Sequence, residues 1–183
     1  MKKIFFVSAC FTALLFSGCS KTADAPEAES TPEASQAQHA DHGHDHAPNH
    51  GIMVAMKSNM IPVAYAEVKL HDDKGDIEIW LTTDEAGTQP FDLPLDATVT
   101  LITSKLEPAG VELKVRNTTQ NEDENGNPTI RNNQTNYFIF PGDTGADASH
   151  FQGKDFATPA QVRFTVQGAL VISEEFELRP HVH

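Results

Sequence analysis

From residue 52 onward, polar and apolar positions alternate over short stretches, and each stretch ends in a turn signal. In the stretch 76–82, for example, apolar side chains at every second position alternate with Glu78 and Trp80. A period of two is typical of a strand with one buried face. The pattern predicts strands over 64–71, 76–82, 97–104, 111–116, 136–141, 161–167 and 170–178.

The predicted strands favour an all-β domain over residues 51–183, since no stretch keeps a helical period. Residues 72–75 (DDKG) form a turn between the first two strands, which predicts a β-hairpin. Seven to eight short strands at this spacing indicate an antiparallel sandwich, either immunoglobulin-like or cupredoxin-like. The connections 117–134 and 142–159 are long, and loops of that length are usually functional or flexible.

Two further segments precede this domain. Residues 1–18 begin with Lys2 and Lys3 and continue with an apolar stretch that is too short to cross a bilayer, which predicts a signal peptide. Residues 19–50 are rich in Ala, Glu, Pro and Ser, and no large apolar residue occurs there. Such a segment cannot bury enough surface to fold, so we expect a disordered tether.

The end of the leader resembles the lipobox of bacterial lipoproteins. The match is Ser17-Gly18-Cys19 after Leu14 and Leu15, whereas Phe16 stands where that family usually has Leu. The resemblance implies cleavage before Cys19 and a lipid on Cys19, which would anchor the protein to a membrane in the cell envelope. Because no Asp follows Cys19, it also implies the periplasmic face of the outer membrane rather than the inner one. The alternative is an ordinary signal peptide cut nearby.

Cysteine content and charge narrow the classes of function. Cleavage would remove Cys10 and lipidation would use Cys19, so we expect no disulfide. The formal net charge is −13, and loss of Lys2 and Lys3 makes the mature chain more acidic still. This charge argues against nucleic-acid binding, which needs a basic face. It suits cationic ligands, although solubility alone also accounts for it.

Residues 39–50, hereafter the His-rich segment, carry the candidate chemistry. Its imidazoles and carboxylates are His39, Asp41, His42, His44, Asp45, His46 and His50. Imidazole is a common ligand of Zn²⁺, Cu²⁺ and Ni²⁺, and a short tract of this composition is typical of metal binding. The segment must order around an ion, so we expect exchangeable affinity for a transition metal whose identity the pattern leaves open. The alternative is a solvated tether without a ligand.

The stretch 42–54 (HGHDHAPNHGIMV) resembles a segment in periplasmic proteins and adaptor subunits of heavy-metal efflux systems. The resemblance implies metal binding by His42, His44, His46 and His50, and a metal-efflux component as a partner. The remainder of the chain lacks the long helical hairpin of an adaptor. A free-standing accessory protein therefore fits better.

Other side chains can extend this site. Met53 and Met56 are candidate thioether ligands for Cu(I) beside His50, although packing in a first strand is the favoured interpretation. His181 and His183 would lie on one side of an extended segment, and they would join His50 if the C-terminus returns near residue 50. Otherwise they belong to a frayed tail.

Residues 121–127 resemble the opening of a calcium loop. Asn121, Asp123 and Asn125 alternate before Gly126, but Asn132 stands where such loops carry a bidentate Glu. No helical pattern flanks the stretch. The pattern therefore favours a polar turn, and calcium is not the expected ion.

The sequence predicts a protein without catalytic activity. It contains no Gly-x-Ser-x-Gly, no phosphate-binding glycine loop and no cysteine nucleophile in the mature domain. Two classes of function follow. The first is a periplasmic accessory protein that captures, buffers or transfers metal ions. The second is a non-catalytic scaffold lipoprotein whose β-sandwich binds another envelope protein, with an incidental His tract.

Overall fold

The computed structural model describes residues 47–104 and 110–181, whose regular structure is almost entirely β. The strands in these residues are β1 (Ile52–Ser58), β2 (Ile61–His71), β3 (Ile77–Thr82), β4 (Leu93–Pro94), β5 (Val99–Thr103), β6 (Val111–Leu113), β7 (Gln134–Thr135), β8 (Tyr137–Phe140), β9 (Thr158–Val166), β10 (Ala169–Ser173), β11 (Phe176–Leu178) and β12 (Pro180–His181). Helical structure in the described residues is limited to two 3₁₀ turns, Gly142–Thr144 and Ser149–Phe151. None of it is long and apolar enough to cross a membrane.

The all-β prediction is confirmed, and the structure refines the strand list. The predicted strand 170–178 divides into β10 and β11, which pair with different parts of β9. The hydroxyl of Ser173 accepts a hydrogen bond from Val162 N at 2.9 Å. A side chain therefore provides the acceptor for this N–H of β9 at the interruption between β10 and β11. The predicted signal peptide, Cys19 and the tether up to residue 46 lie outside the described residues.

Eight strands form one continuous path in the order β6-β5-β9-β10-β1-β2-β3-β8, and neighbours along it are antiparallel. β11 pairs with β9, while β12 lies parallel to β2. The two ends of the path meet because Lys114, just after β6, exchanges backbone hydrogen bonds with Ile139 in β8, at 3.1 and 2.9 Å. The sheet is therefore sandwich-like and nearly closed on itself.

The core fills the inside of this sheet. On β2, β3 and β8 every second residue points inward, as a period of two requires. These inward residues are Ala64, Ala66, Val68, Leu70, Ile77, Ile79, Leu81, Phe138 and Phe140, and all are buried in one hydrophobic cluster. Full burial of a side chain such as Leu or Phe contributes roughly 1.5–3 kcal/mol, so this alternation is the main source of stability.

The outward face of the same three strands is also buried. Trp80, Tyr137 and Ile139 form a second, smaller hydrophobic cluster there. Polar side chains share this face, since Lys69 and Glu78 are 4% and 2% exposed. The connection 116–134 covers it, and this segment is hereafter the covering loop.

Asn121 fastens the covering loop to β8. Its side chain is fully buried; it accepts a hydrogen bond from Arg116 N and donates to Tyr137 O at 2.9 Å. It also donates to the hydroxyls of Thr129 and Thr135. Loss of this amide removes a buried partner of Arg116 N and of Tyr137 O, whereas Thr129 and Thr135 keep the hydrogen bond between their hydroxyls.

We predict that Asn121→Ala lowers the free energy of unfolding by about 3 kcal/mol, because it leaves buried donors and acceptors unsatisfied. Denaturant unfolding measures the change. Asn125→Ala is the matched control, since Asn125 is an exposed residue of the same loop, and a change within about 0.5 kcal/mol is expected. Equal effects from both variants would contradict the role assigned to Asn121.

Candidate metal centre

His71 ends β2, where the chain turns back into β3. Its backbone N donates to Asp76 O and its carbonyl accepts from Gly75 N, both at 2.9 Å, so the hairpin closes on His71 itself. Gly75 has a φ of 75°, and a Cβ there would lie 2.2 Å from Ala148 O, so the turn requires glycine. Glu78 pairs with Lys69 across the two strands, which places it on the outward face near His71.

Three candidate ligand atoms converge beside this hairpin. His71 Nε2 lies 2.9 Å from Glu78 Oε2 and 3.7 Å from Glu124 Oε2. All three side chains present ligand atoms within 4.8 Å of one another, and they form the one such group of three found in the described residues. His71 and Glu78 come from the hairpin and Glu124 from the covering loop, so the cluster depends on the docked loop.

Each carboxylate has one oxygen held by a donor outside the cluster. The Tyr137 hydroxyl donates to Glu78 Oε1. The Lys69 ammonium donates to Glu124 Oε1 at 2.6 Å. The other oxygen of each carboxylate faces His71 Nε2, so the surrounding donors fix which atoms converge.

The charges around the cluster shift two pKa values. The hydrogen bond to Glu78 raises the pKa of His71, and the negative charges of Glu78 and Glu124 act in the same direction. Desolvation and Lys69 oppose this shift and are outweighed. Burial raises the pKa of Tyr137, and the charge of Glu78 raises it further, so the phenol keeps its proton well into the alkaline range.

The cluster opens onto a cleft of about 460 Å³. The side chains around it are predominantly acidic, and they comprise His71, Asp73, Lys74, Asp76, Glu78, Arg116, Glu122, Asp123 and Glu124. Six carboxylates against two permanent cations give the cleft a negative potential. Such a potential favours a cation over an anion.

A second pair of imidazoles lies at the junction between the His-rich segment and β1. The rings of His50 and His181 stack, with centroids 5.6 Å apart and planes 18° from parallel. His181 is brought there by β12, whose register pairs it with His71 on β2. The C-terminal strand therefore returns to residue 50, which is the arrangement that a joint site of His50 and His181 needs.

Glu67 holds His50 in place. Its carboxylate, which is 1% exposed, accepts hydrogen bonds from Asn49 N at 2.7 Å and from Gly51 N at 2.9 Å. Asn49 Nδ2 donates to it as well. Between these two anchors His50 adopts a left-handed φ of 61°, which is uncommon for a residue other than glycine. Unusual backbone of this kind persists only where its surroundings fix it.

The other residues predicted as ligands fall into two groups. His39, Asp41, His42, His44, Asp45, His46 and His183 lie outside the described residues. Met53 and Met56 are described and point to opposite faces of β1, because they are three positions apart. Met56 is fully buried in the core, whereas Met53 is partly exposed, so the two sulfur atoms do not share one site.

The residues that resemble the opening of a calcium loop form hydrogen bonds within their own loop. The side-chain oxygen of Asn121 accepts from Arg116 N, and Asp123 Oδ1 accepts from Asn125 N and Asn127 N, both at 2.9 Å. The backbone of the loop turns back on itself between Asp123 and Asn127. These contacts are those of a polar turn.

The sequence alone does not single out His71, Glu78 or Glu124 as ligands. The alternation in 64–71 and 76–82 carried part of the signal, because it places His71 and Glu78 on one face of a hairpin. Glu124 lies 55 positions after Lys69, its ion-pair partner, and no local pattern announces that contact.

No family model, curated protein or solved structure matches this chain.

We predict that Tyr137 makes stability fall steeply at alkaline pH. An unfolded tyrosine ionises near about pH 10, whereas folded Tyr137 keeps its proton, so stability present below that pH is lost as pH rises, by about 1.4 kcal/mol per pH unit. Denaturant unfolding at a series of pH values measures the slope.

Tyr137→Phe should flatten this slope, even though it lowers stability at neutral pH by removing a donor to Glu78. Tyr65→Phe, which leaves Tyr137 in place, is the matched control and keeps the steep fall. Parallel slopes in the wild type and Tyr137→Phe would show that this interpretation is wrong.

Proposed function

We propose that the protein is a membrane-anchored metal-binding accessory protein of the bacterial cell envelope. It captures, buffers or transfers a transition-metal ion such as Zn²⁺, Cu²⁺ or Ni²⁺. The observation that carries the proposal is the stacked pair of His50 and His181. It joins the end of the His-rich segment to an imidazole from the far end of the chain.

Fixing His50 matters because a flexible ligand set loses conformational entropy when it closes around an ion. The Glu67 carboxylate orders the backbone on both sides of His50, so part of that loss occurs during folding. His50 is exposed, and it can receive an ion together with the imidazoles that precede it. The segment then acts as a collecting arm with one ligand fixed on the domain.

The remaining features support the same role. The net charge of −13 suits a cation and argues against a nucleic-acid partner. Ser17-Gly18-Cys19 supports a lipid anchor on Cys19, which would hold the domain at the periplasmic face, with the outer membrane favoured. A component of a metal-efflux system is the partner that this placement and the metal-binding role suggest.

We predict that the full chain in detergent micelles binds Zn²⁺, Cu²⁺ or Ni²⁺ with micromolar or tighter affinity in calorimetric titrations. Changing His42, His44 and His46 to Ala together with His50→Asn should weaken the site by at least about tenfold, since the ligands are removed. Asn is chosen at position 50 because it tolerates a positive φ.

His181→Ala should weaken binding at the same site by a smaller factor. His150→Ala is the matched control, because His150 is an exposed histidine on the 3₁₀ turn Ser149–Phe151 and its ring contacts Phe151 instead. No binding of any of the three metals, or no loss on substituting the His-rich segment, would refute the proposal.

A second candidate function is protein binding by the β-domain. At the tip of the β1–β2 hairpin and on β10, Met60, Ile61, Val63 and Leu170 are exposed, by 83%, 65%, 40% and 56%. Exposed apolar side chains grouped in this way often mark an interaction surface. Met60→Ser with Leu170→Ser would abolish cross-linking to an envelope protein under this alternative, while substitutions in the His-rich segment would leave it intact.

A further inference from the structure

We infer that His71, Glu78 and Glu124 form a preorganised binding site for Zn²⁺ on the covered face of the domain. This site goes beyond the proposed function because it uses none of the histidines at positions 39–50. It lies where the covering loop meets the β2–β3 hairpin, and all of its ligands are described side chains.

The donor set matches the chemistry of zinc. One imidazole nitrogen and two carboxylate oxygens are ordinary Zn²⁺ ligands, and a site with three protein ligands leaves a fourth position for water or another molecule. The cleft provides room for that fourth ligand. The set lacks sulfur, so it does not favour Cu(I).

The spacing of the ligand atoms also fits. Tetrahedral Zn²⁺ with bonds of about 2.0–2.2 Å holds its ligand atoms roughly 3.4 Å apart. His71 Nε2 lies 2.9 Å from one carboxylate oxygen and 3.7 Å from the other, so the observed distances bracket that value. The two carboxylate oxygens also lie within 4.8 Å of each other, so one ion can reach all three ligand atoms after side-chain adjustment.

Tyr137 and Lys69 determine which carboxylate oxygens face the site. Tyr137 holds Glu78 Oε1 and Lys69 holds Glu124 Oε1, which leaves Oε2 of each carboxylate directed at His71. Metal ligands in proteins are commonly oriented by outer partners in this way, and loss of such a partner weakens binding by about 10–100-fold. Tyr137 and Lys69 are therefore positioning residues.

The charge balance leaves room for a cation. Six carboxylates line the cleft against Lys74 and Arg116, and Lys69 adds a third cation through its ion pair with Glu124. Lys69 is almost fully buried, so solvent screens its ion pair with Glu124 weakly. A divalent ion adds positive charge where Oε2 of Glu78 and Oε2 of Glu124 converge on His71, and it replaces the hydrogen bond between His71 and Glu78.

The test uses the full chain in detergent micelles. The histidines of the His-rich segment are removed by His39→Ala, His42→Ala, His44→Ala, His46→Ala and His50→Asn, and this variant is the background. Calorimetric titration of this background with Zn²⁺ should show one remaining site. Glu124→Gln in the same background should lower its affinity at least about tenfold. Gln at position 124 keeps a side-chain oxygen that can accept the hydrogen bond from Lys69, so the variant is expected to fold with reduced stability.

Glu122→Gln is the matched control, because Glu122 lines the same cleft but lies outside the cluster. The affinity of the Glu122→Gln variant for Zn²⁺ should equal that of the background. Tyr137→Phe should weaken binding about tenfold and change the visible spectrum of bound Co²⁺, which a purely structural role would leave unchanged. Circular dichroism of each metal-free variant confirms folding.

The outcomes separate this site from the proposed function. Zinc binding by the background that is lost in Glu124→Gln and kept in Glu122→Gln supports the site, whatever the His-rich segment does. Absence of zinc binding in the folded background overturns the site, even if the full chain binds zinc through the His-rich segment. Equal weakening by Glu122→Gln and Glu124→Gln also overturns it, because general electrostatic attraction would then suffice.

Discussion

Charged side chains buried on the outward face of β2, β3 and β8 must find partners inside the protein. An unpaired charge in such a place costs several kcal/mol, a large part of the 5–15 kcal/mol that usually separates folded from unfolded protein. Lys69 and Glu78 meet this requirement through Glu124, His71 and Tyr137. Two of these partners lie on the sheet and one on the covering loop, so the sheet and loop stabilise each other.

The same requirement accounts for the arrangement of the candidate centre. Pairing one oxygen of each carboxylate with Tyr137 or Lys69 leaves the other oxygen beside His71. A network that satisfies buried charge thereby concentrates ligand atoms at the mouth of an acidic cleft. Stability and metal affinity make competing demands on these atoms, because an ion must replace the hydrogen bond between His71 and Glu78.

Local patterns predicted the fold better than the centre. Alternation over 64–71 and 76–82 defined two strands and their faces, because burial of one face requires it. The break after Ser173 was missed, although three consecutive polar residues, Ser173, Glu174 and Glu175, interrupt the alternation at that point. Its physical basis is a hydrogen bond from Val162 to the Ser173 hydroxyl, which alternation does not reveal.

The histidines show the same difference between what local patterns predict and what tertiary packing determines. Composition identified the His-rich segment, but the sequence left open whether the C-terminus returns near residue 50 or frays. The structure places His181 against His50. Glu124 was missed because it reaches His71 only through the docking of a long loop. Contacts of that kind depend on tertiary packing, and a single sequence without a match among known proteins offers no pattern for them.

The parallel pairing of β12 with β2 has a consequence for the connectivity of the domain. It places His50, two residues before β1, against the last described strand, so the first and last described parts of the domain are neighbours. Domains with adjacent ends commonly accept circular permutation, with new termini opened at an exposed turn. The β9–β10 turn is a suitable place for such an opening, because Gln167 and Gly168 are both exposed. Val166, just before them, is partly buried. The pairing of the strands in space is thus independent of their order along the chain.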